Sequence, residues 1–209
     1  VDMVGLTRPH MADPHIVSKI QQGREEEIRP CVGANYCLDR IYQGGEAYCI
    51  HNAATGRETT MPHTIPEAAE KRRTVIIGAG PAGLEAARVA GERGHEVVVL
   101  EAGTDAGGQV RLTAQSKRRR DMMGIIDWRL QQCEQLGVEI RYNVMAEAEE
   151  VMQEKPDAVI VATGGYPRDD QPEVGHDLVV NTWDLLDGHV APGSNVLVFD
   201  DAGDHPALQ

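Results

Sequence analysis

The segment V-I-I-G-A-G-P-A-G-L at residues 75–84 constrains this chain most, because it predicts a glycine-rich turn between a strand and a helix. The run from Thr74 to Ile77 is β-branched and apolar, as is typical of a strand buried on both faces. Gly78 then allows a tight turn, Gly80 lets backbone N–H groups approach a diphosphate, and Gly83 lets the helix pack on the sheet. The segment therefore predicts a diphosphate site at a helix N-terminus.

The residues after the turn complete a mononucleotide-binding pattern. Apolar residues at helical spacing end near Gly94, and residues 95–100 return as a second parallel strand. Glu101 ends that strand, eighteen residues past Gly83, where a carboxylate can accept hydrogen bonds from ribose hydroxyls. Because an acid there disfavours a 2′-phosphate, the pattern predicts FAD, NAD or ADP rather than NADP.

Two further segments favour FAD or ADP over NAD. A second glycine pair, Gly107 and Gly108, lies close after Glu101 and lets backbone approach the ligand. Residues 158–162, A-V-I-V-A, predict another buried strand, and its A-T-G-G ending resembles the close of the FAD domain in two-dinucleotide-domain flavoproteins. The predicted nucleotide-binding residues are Gly78, Gly80, Pro81, Ala82, Gly83, Glu101, Ala102, Gly108, Gln109, Ala162, Thr163 and Gly164.

Composition and charge restrict the class of protein. The chain has 209 residues and a net charge of −13, and residues 145–209 hold fourteen Asp and Glu against Lys155 and Arg168. Such an acidic surface argues against nucleic acid as a partner. No apolar run reaches the roughly twenty residues that span a bilayer, and no signal-peptide pattern opens the sequence. We therefore expect a soluble, cytoplasmic protein. The basic run at residues 117–120 is expected to open the solvated end of a helix over residues 121–135.

Both ends of the sequence suggest a central fragment of a longer polypeptide. Residues 1–6, V-D-M-V-G-L, are typical of the tail of a buried strand. Residues 194–199, S-N-V-L-V-F, predict the start of a new parallel strand without the helix that would follow it.

Four cysteines give the next strongest signal. Cys31, Cys37 and Cys49 are spaced C-x5-C-x11-C in a loop-rich stretch, whereas Cys133 is predicted to be a buried apolar residue of a helix. In a cytosolic chain, clustered cysteines favour a metal site over disulfides. Zinc with His51 as fourth ligand, an iron–sulfur cluster, and three structural thiols all remain open at this point.

These motifs together resemble one family. The segments D-M-V-G-L-T-R-P-H-M-A-D-P from Asp2, C-V-G-A-N-Y-C-L-D-R from Cys31, C-I-H-N from Cys49 and the glycine segment are similar to the iron–sulfur relatives of old yellow enzyme. That family includes trimethylamine dehydrogenase, histamine dehydrogenase and 2,4-dienoyl-CoA reductase. The resemblance implies an FMN-binding TIM barrel, a cysteine-rich segment holding a 4Fe–4S cluster, and a dinucleotide domain interrupted by a second one. It also implies that Arg8 contacts the FMN phosphate and that Cys31, Cys37 and Cys49 ligate the cluster.

The resemblance also implies a fold and a division of the chain. The fold class is α/β, with the end of a TIM barrel and a cysteine-rich linker joined to a Rossmann-like domain with a parallel sheet. The implied segments are 1–28 (end of the FMN barrel), 29–60 (cysteine-rich segment), 61–72 (linker), 73–168 (FAD- or ADP-binding domain), 169–193 (connection) and 194–209 (start of a second dinucleotide-like domain).

Two departures from the family pattern affect the expected function. The second cysteine of the cluster motif is replaced by Ala34, which leaves a cluster with a solvent, Asn35 or His51 ligand, a three-iron cluster, or none. Residues 200–205, D-D-A-G-D-H, replace a second glycine motif, and their carboxylates would repel a diphosphate. The sequence is therefore more similar to amine dehydrogenases, including N-methylproline and stachydrine demethylases, than to NADPH-dependent enoyl reductases.

The resemblance implies that a substrate reduces FMN in the barrel and that electrons leave through the cluster to an electron-transfer flavoprotein. The substrate-facing residues of the family lie upstream of Val1, so we assign no catalytic residue within this sequence. Three alternatives stay open: an NAD(P)H-dependent enoyl or dienoyl reductase, a nucleotide-binding module with structural ADP, and a zinc-stabilised linker. Homo-oligomerisation also stays open.

Overall fold

The computed structural model describes residues 1–167 and 174–199. Four parallel strands form one sheet in the order β3-β2-β1-β4. The strands are β1 (Arg73–Ile77), β2 (Glu96–Leu100), β3 (Glu139–Arg141) and β4 (Ala158–Val161). The strand order reverses at β1, which has β2 on one side and β4 on the other, and ligands of open α/β sheets bind at the carboxyl ends of strands at such a point. The α/β class with a parallel sheet is confirmed.

Eight helices and three 3₁₀ turns accompany the sheet in the described part of the chain. The helices are α1 (Thr7–Ala12), α2 (Ile16–Gln21), α3 (Tyr36–Tyr42), α4 (Pro81–Glu92), α5 (Gln109–Ala114), α6 (Gly124–Gln135), α7 (Ala148–Gln153) and α8 (Thr182–Leu186). The 3₁₀ turns are Glu25–Glu27, Arg120–Met123 and His176–Leu178. None of these helices combines the length and apolar character that crossing a membrane requires.

The core lies between the sheet and the helices α4 and α6. Val75 pairs with Val98 and Ile76 with Val99, and all four side chains are buried, as the β-branched runs predict. The apolar face of α4 packs on one side of this sheet beside α6, where Cys133 is fully buried. Burial raises the pKa of the Cys133 thiol to about 11, so this cysteine behaves as the small apolar residue that the sequence predicts.

The amino-terminal segment packs against α6 rather than standing apart from the sheet domain. The indole N–H of Trp128 donates a hydrogen bond to the backbone O of Glu27 at 2.9 Å. A Cβ on Gly124 would lie 3.1 Å from Cγ of Pro30 and 3.2 Å from Cγ1 of Val32, so the backbone of α6 directly contacts the residues on either side of Cys31. The cysteine-rich segment is therefore positioned by the nucleotide-binding domain.

Three expectations about strands are wrong in the described structure. The strand predicted as buried at 158–162 is β4, an edge strand that pairs only with β1, and Val159, Ile160 and Val161 are 43%, 38% and 69% exposed. Residues 194–199 and 1–6 form no strand and are exposed, because no described segment pairs with them. An apolar run predicts a strand, but a strand is stable only beside a partner.

The expected helix over 121–135 begins as the 3₁₀ turn at 120–123 and becomes α-helical at Gly124. The acidic segment at residues 200–205 and the predicted domain boundary at 168 lie outside the described residues.

Candidate functional site

The glycine turn after β1 is packed so closely that two of its positions exclude a side chain. Gly78 has φ +101°, and a Cβ there would lie 2.5 Å from the backbone O of Ala162. A Cβ on Gly83 would lie 1.9 Å from the backbone O of Gly78, far inside van der Waals contact. These two glycines therefore join the turn to α4 and to the end of β4.

Gly80 differs from its neighbours because the space beside it is open. It is the N-cap of α4, with φ −71°, and no described atom lies within 4 Å of the position a Cβ would take. Pro81 occupies the first helical position, and Ala82 follows it on the exposed surface. The free backbone N–H groups at the start of this twelve-residue helix thus border a space in which an anion can approach.

Glu101 ties the end of β2 to the glycine turn. Its Oε2 accepts a hydrogen bond from the backbone N–H of Ala79 at 2.6 Å, and its Oε1 accepts one from the N–H of Gly103 at 2.7 Å. Each carboxylate oxygen keeps a further lone pair, so these bonds leave acceptor capacity for a ribose. The Glu101 carboxylate thus holds the two loops of the site in position in addition to being a predicted ribose contact.

The second glycine pair lies against the first turn. The N–H of Gly107 donates to the backbone O of Ala79 at 2.9 Å, and a Cβ on Gly108 would lie 3.4 Å from Cα of Gly80. The side chain of Gln109 donates to the backbone O of Gly165 at 3.3 Å, which links the start of α5 to the loop after β4.

The predicted nucleotide-binding residues therefore meet at the carboxyl edge of the sheet, and their contacts with a nucleotide stay a prediction. Ala162 is held beside β1 by its N–H, which donates to the backbone O of Ile77 at 2.8 Å. Ala102, Thr163 and Gly164 are exposed on the same edge.

The three clustered cysteines line one pocket. This cavity of about 30 Å³ is bordered by Cys31, Cys37 and Cys49, together with Arg8, Ala34, Asn35 and His51. Cys31 is exposed, Cys49 is partly buried, and Cys37 lies in the first turn of α3. The fold thus brings together three cysteines that are up to eighteen positions apart in the sequence.

The arrangement is unfavourable for a single metal ion. Across residues 1–167 and 174–199, no three His, Cys, Asp or Glu side chains come close enough to hold one. A cluster of several irons spreads its ligands around a larger inorganic core, and it uses thiolates above all. Three cysteines and a histidine would also suit zinc in kind, so it is the spacing of these side chains that favours an iron–sulfur cluster over a single zinc ion.

His51 is buried at the wall of this pocket with one ring nitrogen unpartnered. Its Nδ1 lies 3.0 Å from the backbone O of Pro30, and its Nε2 has no hydrogen-bond partner among the described atoms. Burial, followed by the nearby Arg129 cation, lowers the His51 pKa to about 3, so the imidazole is neutral. The backbone N–H of His51 lies 3.4 Å from Sγ of Cys49.

Arg8 lies at the same pocket, on α1. Its guanidinium donates to Oδ1 of Asn35 at 2.9 Å, and Asn35 has the left-handed φ of +59°. Contact of Arg8 with an FMN phosphate stays a prediction, because that contact requires a barrel beyond the described residues.

The sequence did not predict a buried charge cluster that lies behind the cysteine pocket. Glu85 on α4 pairs with Arg88 at 2.7 Å and with Arg129 of α6 at 2.8 Å, and Arg29 stacks 4.2 Å from the Trp128 ring centre. Burial, followed by the Arg88 charge, lowers the pKa of Arg29 to about 10. The spacing of Glu85 and Arg88 on one helix was visible in the sequence, but the pairing with Arg129 depends on helix packing.

Beside this charge cluster lies a cavity of about 800 Å³ between α4 and the amino-terminal segment. Its walls carry both signs of charge, including Lys19, Arg88 and Glu92.

Comparison with known proteins shows which family this fold belongs to. The profile of the pyridine nucleotide-disulphide oxidoreductase family matches residues 72–184, more than half of the sequence. The chain belongs to this family. The matched region contains the whole parallel sheet and the glycine turn, so the family assignment rests on the part of the structure that carries the predicted nucleotide-binding residues.

Individual relatives extend the similarity to the cysteine-rich segment. "Probable N-methylproline demethylase" of Rhizobium meliloti (strain 1021) is 68% identical over 209 residues, which cover 100% of this chain and 31% of that protein. "N,N-dimethylglycine/sarcosine dehydrogenase" of Chromohalobacter salexigens is 49% identical over 96% of this chain and 30% of its own length. The solved complex of 2-naphthoyl-CoA reductase with 2-naphthoyl-CoA superposes with a TM-score of 0.84 at 33% identity, over 92% of this chain and 30% of that one.

These relatives confirm the resemblance to the old yellow enzyme-related flavoproteins. The chain spans about 30% of the length of the curated relatives it matches. The relatives are oxidoreductases by name, which supports a redox role and a flavin or nucleotide cofactor for this chain.

Proposed function

We propose that this chain is the electron-transfer part of an FMN-, iron–sulfur- and FAD- or ADP-containing oxidoreductase that oxidises an N-methylated amine. The observation that carries the proposal is the meeting of the glycine turn, Glu101 and the A-T-G-G segment at one sheet edge. The cysteine pocket packs on the same domain through α6, so the two sites are joined by direct contacts.

The residues at the sheet edge would bind and orient the nucleotide. The N–H groups at the start of α4 would hold the diphosphate, and Gly80 would allow its close approach because nothing described fills the space beside it. Glu101 would accept hydrogen bonds from the ribose with its remaining lone pairs. A bound FAD would supply a redox-active isoalloxazine, whereas ADP would only stabilise the fold.

The cysteine pocket would hold the second redox group. An iron–sulfur cluster supplies one-electron transfer, and the protein sets its solvent access and hydrogen bonding. Cys31 is exposed at the pocket rim, which would allow electrons to leave to a soluble carrier such as an electron-transfer flavoprotein. The FMN and the substrate pocket belong to the barrel that the resemblance implies, with Arg8 as the phosphate contact, and we propose that the whole enzyme acts in the cytoplasm.

The substrate class rests on the relatives' names. Two of them, at 68% and 49% identity, are named for N-methylproline and for N,N-dimethylglycine or sarcosine, which share an N-methyl group on an amino acid. An N-methylated amino acid is therefore the substrate we propose for the complete polypeptide.

One preparation tests the cofactors and the reaction separately. The complete natural polypeptide, purified anaerobically, is expected to show flavin absorption and to release both FMN and an adenine nucleotide on denaturation. N-Methylproline and sarcosine should bleach the flavin, with formaldehyde as the product of demethylation. A preparation without flavin, or one that no N-methylated amino acid reduces, would overturn the proposal.

A reductase is the alternative that a specific observation favours, because 2-naphthoyl-CoA reductase superposes over 92% of this chain. NADH and NADPH distinguish the two functions when added to the same preparation. Rapid flavin reduction by either nucleotide, with none by N-methylated amines, would assign the chain to an enoyl- or dienoyl-reductase type of enzyme.

A further inference from the structure

The cysteine pocket offers three thiols where a four-iron cluster needs a fourth ligand. Ala34, which replaces the expected cysteine, lines the pocket but has no donor atom. The other residues of this pocket whose side chains carry a nitrogen or oxygen atom are Arg8, Asn35, Tyr36 and His51. The Oδ1 of Asn35 already accepts a hydrogen bond from Arg8, at 2.9 Å.

The geometry around His51 fixes which ring nitrogen carries the proton. Nδ1 lies 3.0 Å from the backbone O of Pro30, and a carbonyl oxygen only accepts hydrogen bonds. Nδ1 must therefore be the protonated nitrogen, which leaves a lone pair on Nε2. Metal-bound histidines are held in this way, with the second ring nitrogen donating to a carbonyl or carboxylate.

The lone pair of Nε2 has no donor to satisfy it. The atom is buried and has no hydrogen-bond partner among the described residues. An unsatisfied buried acceptor is unfavourable by about 1–3 kcal/mol, and native proteins rarely retain one without a role. A metal ligand bond would satisfy it.

The ring is also held rigidly. It packs edge-to-face against Trp128, with ring centres 5.3 Å apart, and the backbone O of His51 accepts a hydrogen bond from Arg129 at 3.3 Å. On the other side, the backbone N–H of His51 points to Sγ of Cys49 at 3.4 Å. Such preorganisation is what a ligand position requires.

We propose that Nε2 of His51 is the fourth ligand of an iron–sulfur cluster held by Cys31, Cys37 and Cys49, in place of the thiolate missing at Ala34. The inference deepens the proposed function and rests on its cluster. A neutral imidazole in place of a thiolate makes the cluster less negative by one charge, and histidine ligation raises the reduction potential of iron–sulfur centres.

Pulsed EPR of the unmutated protein carries the test. The complete polypeptide, purified anaerobically and reduced with dithionite, should show a hyperfine coupling from a directly bound ¹⁴N nucleus. Ala34→Cys should restore a thiolate ligand, abolish this coupling and lower the midpoint potential. His51→Cys should retain iron and acid-labile sulfide but also lose the coupling, and His51→Ala should lose iron several-fold.

His189→Ala is the matched control, because this histidine is exposed and distant from the cysteine segment in the sequence; its iron content and nitrogen coupling should be unchanged. A cluster without nitrogen coupling, or iron content unaffected by His51→Ala, would overturn the ligand assignment. Absence of iron and sulfide from the unmutated protein would overturn it as well, whereas the flavin spectrum and amine reduction still test the oxidoreductase independently.

Discussion

The carboxylate of Glu101 and the backbone N–H of Ala79 are joined by a hydrogen bond of 2.6 Å, which connects the end of β2 to the glycine turn after β1. The backbone N–H of Gly107 donates to the backbone O of the same Ala79, so the N–H and the C=O of Ala79 are both hydrogen-bonded. The acid that the sequence predicts as a ribose ligand therefore also stabilises the loop that we propose as the diphosphate site. Loop geometry and nucleotide affinity should change together when Glu101 is replaced.

Glu101→Gln is expected to lower the free energy of unfolding by about 1–2 kcal/mol and to weaken adenine nucleotide binding. The N–H groups of Ala79 and Gly103 bond to different oxygens of Glu101, and an amide replaces one of these oxygens with an NH2 group, which donates and cannot accept. Urea unfolding and calorimetric titration with ADP measure the two effects. Glu134→Gln, at an exposed position of α6, serves as the control and should change neither.

Gly83→Ala and Gly80→Ala should separate folding from binding. At Gly83 a Cβ would lie 1.9 Å from the backbone O of Gly78, so α4 must move and stability should fall by several kcal/mol. At Gly80 the Cβ position is free of described atoms and φ is −71°, so the variant should fold normally. Its methyl group should nevertheless obstruct the diphosphate. Equal stability of the two variants, or normal ADP affinity in Gly80→Ala, would contradict this prediction.

The sequence predicts where the glycine turn and Glu101 lie relative to one another, because this part of the fold is built from local pattern. The β-branched run of β1, the three glycines and Glu101 lie within one strand–turn–helix–strand unit, so their spacing alone determines where they meet. The burial of β4 was predicted wrongly for the opposite reason. Its apolar run indicates a strand, but burial depends on what packs against Val159 and Val161, and that information is not local.

At the cysteine pocket, too, the sequence predicts the local pattern but not the contacts between distant segments. The spacing of Cys31, Cys37 and Cys49 predicts a metal site, and His51 is visible as a nearby donor. The protonation state of its ring depends on the carbonyl of Pro30, twenty-one residues earlier, which only the folded chain places beside Nδ1. Tertiary hydrogen bonds of this kind leave no periodic signal in a sequence.

Trp128→Phe should loosen the contact between the amino-terminal segment and α6. The substitution removes the indole N–H that donates to the backbone O of Glu27 at 2.9 Å, and it weakens the stacking of Arg29. Because Lys19 also donates to that carbonyl, at 2.8 Å, no buried acceptor is left unpaired, and we expect a loss of about 1–2 kcal/mol.

Urea unfolding followed by circular dichroism measures the loss. Trp183→Phe on α8 is the matched control, since no hydrogen bond of its indole N–H is seen in the described residues, and its stability should be nearly unchanged. Equal losses in the two variants would show that the indole bond to Glu27 has no special role.

Acid should destabilise the protein through Glu85. Burial alone would raise the pKa of this carboxyl, but the Arg88 hydrogen bond and the Arg129 and Arg88 charges outweigh burial and hold it at about 2, below the ordinary 4.5. In the unfolded chain Glu85 binds a proton near pH 4.5 while the folded chain does not. The stabilisation from Glu85 is therefore complete above pH 4.5 and is lost as the pH falls towards 2.

Glu85→Gln should remove this part of the pH dependence, which the pKa difference sets at about 3 kcal/mol. The free energy of unfolding, measured in urea from pH 7 down to pH 3, should show the largest gap between parent and variant at neutral pH and a narrowing gap below pH 4.5. Asp13, whose pKa is also lowered because hydrogen bonds from Lys19 and from backbone N–H groups outweigh burial, should keep its own acid sensitivity in the variant. Parallel stability curves across this pH range would mean that Glu85 is not the carboxyl that acid titrates, and that its pairing with Arg129 contributes little to holding α4 against α6.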